Sequence, residues 1–207
     1  DEYLALLKLS LETQARAGIP TWAEGIPIMG LPMPQGAING QVLRILTNAL
    51  RERAGAQIVY QSLRTPEPTA RLIWPHHLVH VAGRWHVRAY DAKRERFADL
   101  VVARITEASS SEQATPVQAA RDTEWETEAT VEVVPNPKLS PAQQAIVARE
   151  WGMTMTRQQW LWPAKMRRAL IPYFLEQHHL RRPAARAPVI ARNLESLQAR
   201  SFEDSEG

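Results

Sequence analysis

The chain has 207 residues and no cysteine, and its 25 Lys and Arg stand against 22 Asp and Glu for a formal net charge of +3. That length allows two modest domains with cores of their own, and the missing cysteine excludes a disulfide framework and a thiolate metal site. No apolar run is long enough to cross a bilayer and no signal-peptide pattern opens the chain, so a soluble, cytoplasmic protein with no membrane partner is expected.

Because the sequence starts at Asp1 rather than Met, it is expected to be part of a longer protein. Leu4, Leu7 and Leu11 recur at helical spacing, so residues 1–17 read as a short helix. Residues 18–37 carry four Pro and four Gly and read as an irregular connector. From Ile38 to Arg53, apolar residues at 38, 42, 45, 46, 49 and 50 form the stripe of an amphipathic helix, with Gly55 as its stop.

Between Gln57 and Ile105 the pattern predicts five short strands, an all-β barrel or sandwich unit. Ile58, Tyr60 and Ser62 share one face of the first strand. Leu72 and Trp74 alternate with Arg71 and Ile73 in the second, which Pro75 ends or bends. In the third, His76, Leu78 and His80 face one way and His77, Val79 and Val81 the other. The fourth puts Trp85, Val87 and Ala89 on one face and His86, Arg88 and Tyr90 on the other. With the apolar face inward, an imidazole, a guanidinium and a phenol are expected in a row on the polar face. Antiparallel sheets commonly solvate one face, but the charge is unevenly placed. Residues 56–108 hold eight Lys and Arg against five Asp and Glu, and four of the six histidines, while the rest of the chain is balanced. A small basic surface with interleaved aromatic residues suits phosphate oxygens and bases.

Beyond Ile105, Ser109 to Gln118 reads as a polar linker. Alternation over Thr127 to Val134 predicts a strand. Ser140-Pro141 is an N-cap followed by Pro at the first helical position, opening a helix to about Trp151. Gln159 to Trp162 reads as a short strand, with Trp160-Leu161-Trp162 as core or dimer contact. A helix is predicted over Met166 to Gln177 with Pro172 inside it, then a loop over 180–188, and a last strand and short helix over Val189 to Ala199. The acidic tail is expected to fray.

Catalytic and cofactor motifs are missing: there is no G-x-G-x-x-G, Walker loop, H-E-x-x-H or G-x-S-x-G. Strand parity places His76 and His80 opposite His77, so no metal site is expected. His178-His179 with Arg181-Arg182, and Arg167-Arg168, read as solvated cations. Asp91 and Asp99 make no persuasive acid–base pair, and Ser62 with His76 has no third orienting group, so no enzyme and no cofactor are expected.

The strings Tyr60-Gln61-Ser62, Pro66-Glu67-Pro68-Thr69, Pro75-His76 and Arg84-Trp85-His86-Val87-Arg88-Ala89-Tyr90, with Phe97, Asp99 and Arg104-Ile105, together resemble the WYL-domain transcriptional regulators of bacteria, of the type that controls anti-phage defence islands. His77 and Ala98 depart from the family's usual Ala and Arg. The resemblance implies an α+β protein: an Sm-like five-stranded β-barrel with an N-terminal helix over 38–108, a linker over 109–124, and a smaller α+β dimerisation unit over 125–207. It also implies a homodimer, an effector bound by the barrel, and operator DNA bound through an N-terminal winged helix-turn-helix absent from these residues. Parity and resemblance select Tyr60, Ser62, His76, Arg88 and Arg104 as ligand-binding residues, with Arg71, His86 and Phe97 as second choices. Arg88 and Arg104 would hold an anionic group, Ser62 and His76 would add hydrogen bonds, and Tyr60 or Phe97 would pack on a ring. Two structural alternatives stay open: Tyr60 as core, and Arg104 paired with Asp99 or Asp91. The basic and aromatic makeup favours a nucleotide or short nucleic acid as effector. A standalone Sm-like nucleic-acid-binding module is the second reading and a hydrolase using Ser62 and His76 the third.

Overall fold

A computed structural model describes residues 37–81, 83–181 and 187–197. They belong to one unit, Gly36–Gly207; the helix and connector expected over 1–36, much of the 180–188 loop and the tail lie outside the described residues. Helix α1 (Gly40–Glu52) opens on Asn39, whose side chain accepts the Gln41 amide, and buries Val42, Leu46 and Ala49. It ends before Gly55. Arg53 takes the left-handed conformation at φ 55 and donates its N–H to the Ala49 carbonyl, so the cap is a non-glycine residue. Gly55 instead opens β1, where a Cβ would lie 3.1 Å from Trp74 Nε1 and 3.3 Å from Ser111 Cβ.

Five antiparallel strands follow: β1 (Gly55–Tyr60), β2 (Thr69–Val81), β3 (Arg84–Asp91), β4 (Arg96–Val101) and β5 (Ile105–Ser111). Their order is β4-β3-β2-β1-β5. The expected number comes from different pieces. The second and third predicted strands are one strand, β2, because the ladder to β3 slips between Pro75 and His77; a bulge tolerates a residue with no N–H to donate. The fifth strand runs through Ser109, Ser110 and Ser111, which pair with Gln57, Ala56 and Gly55, where a linker was expected. Its side chains are largely exposed, so backbone bonding makes this strand and the side-chain pattern carries no sign of it. The sheet has β4 and β5 as its edges, and no ladder joins them among the described residues. The expected barrel is met as five antiparallel strands in one sheet, without closure.

Cross-strand partners share a face, and the register sorts the sheet into two. On the inner face Ala56, Ile58, Tyr60, Ile73, Val87, Ala89 and Leu100 pack with α1. On the outer face lie Trp74 opposite Tyr90, His77 opposite Arg88, Val79 opposite His86, and Asp99 opposite Arg88. The outer row is covered rather than solvated, since His86 and Arg88 are only 5% and 6% exposed. The segment after β5 covers them: the short helix α2 (Thr123–Glu126) lays Trp125 on Val79, with Ala169 completing the cluster. Trp85, expected inside, is 46% exposed and lies beside His80.

The remaining residues build a second antiparallel sheet from β6 (Glu128–Pro135), β7 (Thr154–Thr156), β8 (Gln159–Arg167) and β9 (Val189–Ala191), in the order β7-β8-β6-β9. Helix α3 (Pro141–Glu150) carries the expected Ser140 cap, completed by Gln143 into a reciprocal capping box. Strand β8 runs through Met166 and Arg167, so helix α4 (Ile171–Gln177) starts later than expected. Pro172 sits in its first turn, where a missing N–H costs nothing. Val131, Val133, Val147, Ala164, Ile171 and Leu175 form the core, with Trp160 and Trp162 packed against it; the short helix α5 (Leu194–Leu197) adds Leu197.

The close approach of Trp74 and Ser111 to Gly55 is open to test. Gly55→Ala forces Trp74 or the β5 edge outward, at a cost of about 1 kcal/mol, the lower end for overpacking. Urea denaturation should show a lower midpoint at unchanged slope.

Candidate functional site

The outer face of the first sheet converges on one carboxylate, Asp122, which caps α2. Arg88 Nε donates to Asp122 Oδ2 at 2.6 Å and Arg88 Nη2 donates to Oδ1 at 2.8 Å, a two-toothed fork. His76 Nε2 lies 3.1 Å from Oδ2; a carboxylate only accepts, so that nitrogen carries the proton. The Trp125 amide donates to Oδ1 at 3.3 Å. The remaining Arg88 nitrogen, Nη1, donates to Asp99 Oδ1 at 3.2 Å, and the Tyr173 hydroxyl of α4 donates to Asp99 Oδ2 at 3.0 Å. A continuous polar chain thus runs from β2 and β3 through the segment between the sheets, and from β3 through β4 to α4. All of it is buried: Arg88, Asp99 and Asp122 are 6%, 8% and 2% exposed.

Rings wall the carboxylate. His76 meets Phe97 edge-on at 5.5 Å and Trp125 at 5.9 Å, and His77 lies tilted by 36° against Trp125 at 4.3 Å. His76 Nδ1 lies 2.7 Å from His77 Nδ1. Simple alternation put these two imidazoles on opposite faces; the bulge at Pro75–His77 brings them together. Among the described residues no group of three or more His, Cys, Asp or Glu is arranged to hold a metal.

Charges in this site reinforce one another. Burial disfavours the Asp122 carboxylate, but the hydrogen bonds and charges of His76 and Arg88 outweigh it and hold its pKa at about 2. Burial likewise works against the Arg88 cation, and Asp122 with Asp99 overrides it, raising the guanidinium above its ordinary range. For His77, burial first, then His76 and Arg167, push the pKa below 6.5.

The candidates chosen from sequence fall into three groups. His76, Arg88, His86 and Phe97 share the outer face, and His86 lies 5.2 Å from the Tyr173 ring. Tyr60 and Arg71 belong to the inner face. Arg71 Nη1 donates to Asp91 Oδ2 at 2.9 Å and its guanidinium lies 4.8 Å from the Tyr60 ring centroid. The Tyr60 hydroxyl accepts the Val101 amide at 3.3 Å, so Tyr60 is a core residue as one alternative allowed. Ser62 and Arg104 lie where β1 runs out beside the start of β5. The Ser62 hydroxyl accepts the Thr65 amide at 2.9 Å, and the Gln61 amide donates to the Arg104 carbonyl at 3.2 Å. Sequence reading missed Asp122 and Tyr173 altogether. Asp122 before Thr-Glu-Trp-Glu carries the signal of an N-cap, but nothing local points to its partner in β3.

The depressed pKa of Asp122 implies a pH response. Its folded value, about 2, lies below its ordinary 3.8, so the stabilisation is complete above about pH 4 and is lost as pH falls through 2. The difference corresponds to about 2 kcal/mol at neutral pH. Asp122→Asn should lower stability by that order at pH 7, and the gap to wild type should close between pH 4 and 2 in denaturant titrations.

Residues 41–110 match the WYL domain family, and residues 128–199 match the family described as BrxR transcriptional regulator, C-terminal dimerization domain. Among curated proteins, the DNA-binding transcriptional repressor CapW of Stenotrophomonas maltophilia is 31% identical over 179 residues, covering 84% of this chain and 58% of that protein. CapW of Pseudomonas aeruginosa is 34% identical over 154 residues, covering 74% of this chain and 50% of its own length. The chain therefore spans about half the length of the curated relatives it matches. A solved structure, proteasome accessory factor B/C of Arthrobacter aurescens, aligns at 18% identity with a TM-score of 0.36, covering 80% of this chain and 26% of that one. With one family on the first sheet and the other on the second, the chain carries a WYL domain followed by a BrxR-type C-terminal dimerization domain.

Proposed function

We propose that these residues are the effector-sensing and dimerising part of a bacterial DNA-binding transcriptional repressor, one that governs an anti-phage defence system in the cytoplasm. Residues 128–199 pair two copies, and operator DNA is read by a part of the protein outside these 207 residues. The effector is a nucleotide or short nucleic acid, bound at Arg88 and His76 with Phe97 as an aromatic wall. The observation that carries this reading is the Arg88 fork and His76 meeting on one anionic group, Asp122, among rings. A phosphate monoester presents the same paired acceptor oxygens to a guanidinium as a carboxylate does, and bases stack on aromatic faces. Tyr60 and Arg71 brace the sheet from its inner face, while Ser62 and Arg104 order the β1–β5 junction.

The test uses a fluorescein-labelled oligothymidylate with a 5′-phosphate, followed by anisotropy. Arg88→Lys keeps the charge that Asp122 and Asp99 require but loses the fork, so binding should weaken about tenfold, the equivalent of about 1.4 kcal/mol, with near-UV dichroism unchanged. Equal binding by wild type and Arg88→Lys places the effector elsewhere. Light scattering at micromolar concentration should give the mass of a dimer for both proteins; a monomeric mass overturns the pairing.

A further inference from the structure

The site built around Arg88 is occupied, and its occupant is part of the chain. Asp122 uses both oxygens on Arg88, gives one of them to His76, and takes the Trp125 amide on the other. Both N–H groups of the fork are taken by Asp122 and Nη1 donates to Asp99, so a second anion cannot take the fork while Asp122 holds it. The carboxylate is ionised throughout the physiological range, so an effector meets a standing charge there at physiological pH.

Resting on the effector reading above, we propose that Asp122 is an internal stand-in for the effector's anionic group, and that effector and Asp122 exchange at Arg88 and His76. Exchange moves more than one side chain. Asp122 caps α2, and α2 carries Trp125, whose ring closes the seam with Val79 of β2 and Ala169 before α4. Glu126 at the end of α2 leads through a single residue into β6, one of the two inner strands of the second sheet. Withdrawing Asp122 therefore loosens the attachment between the WYL sheet and the dimerization domain, and an attached Asp122 excludes the effector. The two states are mutually exclusive because they need the same donors on Arg88 and His76, which is how a ligand gains the differential affinity required to shift an equilibrium. The exchange also sets the effector's apparent affinity, reduced by the small fraction of molecules in which Asp122 is withdrawn.

The labelled 5′-phosphorylated oligothymidylate is titrated against wild type, Asp122→Asn, Arg88→Lys and the double variant. Removing the internal charge should tighten probe binding at least tenfold, and Arg88→Lys should cancel that gain. If Asp122→Asn binds no more tightly than wild type while Arg88→Lys still weakens both, the stand-in is overturned and the effector site survives. If Arg88→Lys changes nothing in either background, or no protein binds at millimolar probe, the effector site itself falls and the stand-in with it. Hydrogen exchange on wild type guards against a misfolded variant. Probe binding should speed exchange of the amides of residues 123–127, and protection there overturns the proposal.

Discussion

The buried fork between Arg88 and Asp122 is the contact on which the outer half of this structure depends. Taking a guanidinium and a carboxylate out of water costs several kcal/mol per ion, and the attraction between them offsets this only when every remaining donor and acceptor is also satisfied. Here each Arg88 nitrogen donates at least once, the last of them to Asp99, and His76 and the Trp125 amide fill the remaining acceptor positions of Asp122. Removing one partner strands the other in a dry site, so the pair holds α2 in place more firmly than its four residues could hold themselves.

A second buried pair, Arg71 with Asp91, lies on the opposite face. It differs in kind. Asp91 is fully buried and its other oxygen accepts the Lys93 amide at 2.9 Å, so the pair folds the β3–β4 turn back on its own strand. Each of these partners comes from within the first sheet and its turn. Burial and then neighbouring Arg71 push the Arg94 guanidinium below its ordinary value, with Asp91 opposing. The inner pair therefore stabilises one domain, whereas the outer pair joins the first sheet to the segment that leads into the second.

The Tyr173 contact extends that connection. Its hydroxyl reaches Asp99 from α4, whose other face packs Ile171 and Leu175 into the second core. The second sheet is thus tied to the first both through the chain, at α2, and across it, at Tyr173.

Much of this was legible in the residues. Helix α1, the Ser140-Pro141 helix start and the inward parity of Val87 and Ala89 come from spacing and capping chemistry, which act within a few residues. The motif strings around Trp85-His86-Val87 carried the family. Alternation also marked His86 and Arg88 as one row, correctly on the face away from α1. What alternation cannot tell is whether a polar face meets water or another part of the chain. That is decided by contacts 34 residues apart, Arg88 with Asp122, and 74 apart, Asp99 with Tyr173. The bulge that sets His76 beside His77, and the all-serine end of β5, likewise arise from backbone pairing with β3 and β1. Local propensity and period act over one or two turns, and the sequence by itself determined them. Which charges are buried, which faces are covered and which ion meets which were settled only in the tertiary structure, because desolvation and pairing depend on everything that packs around a group.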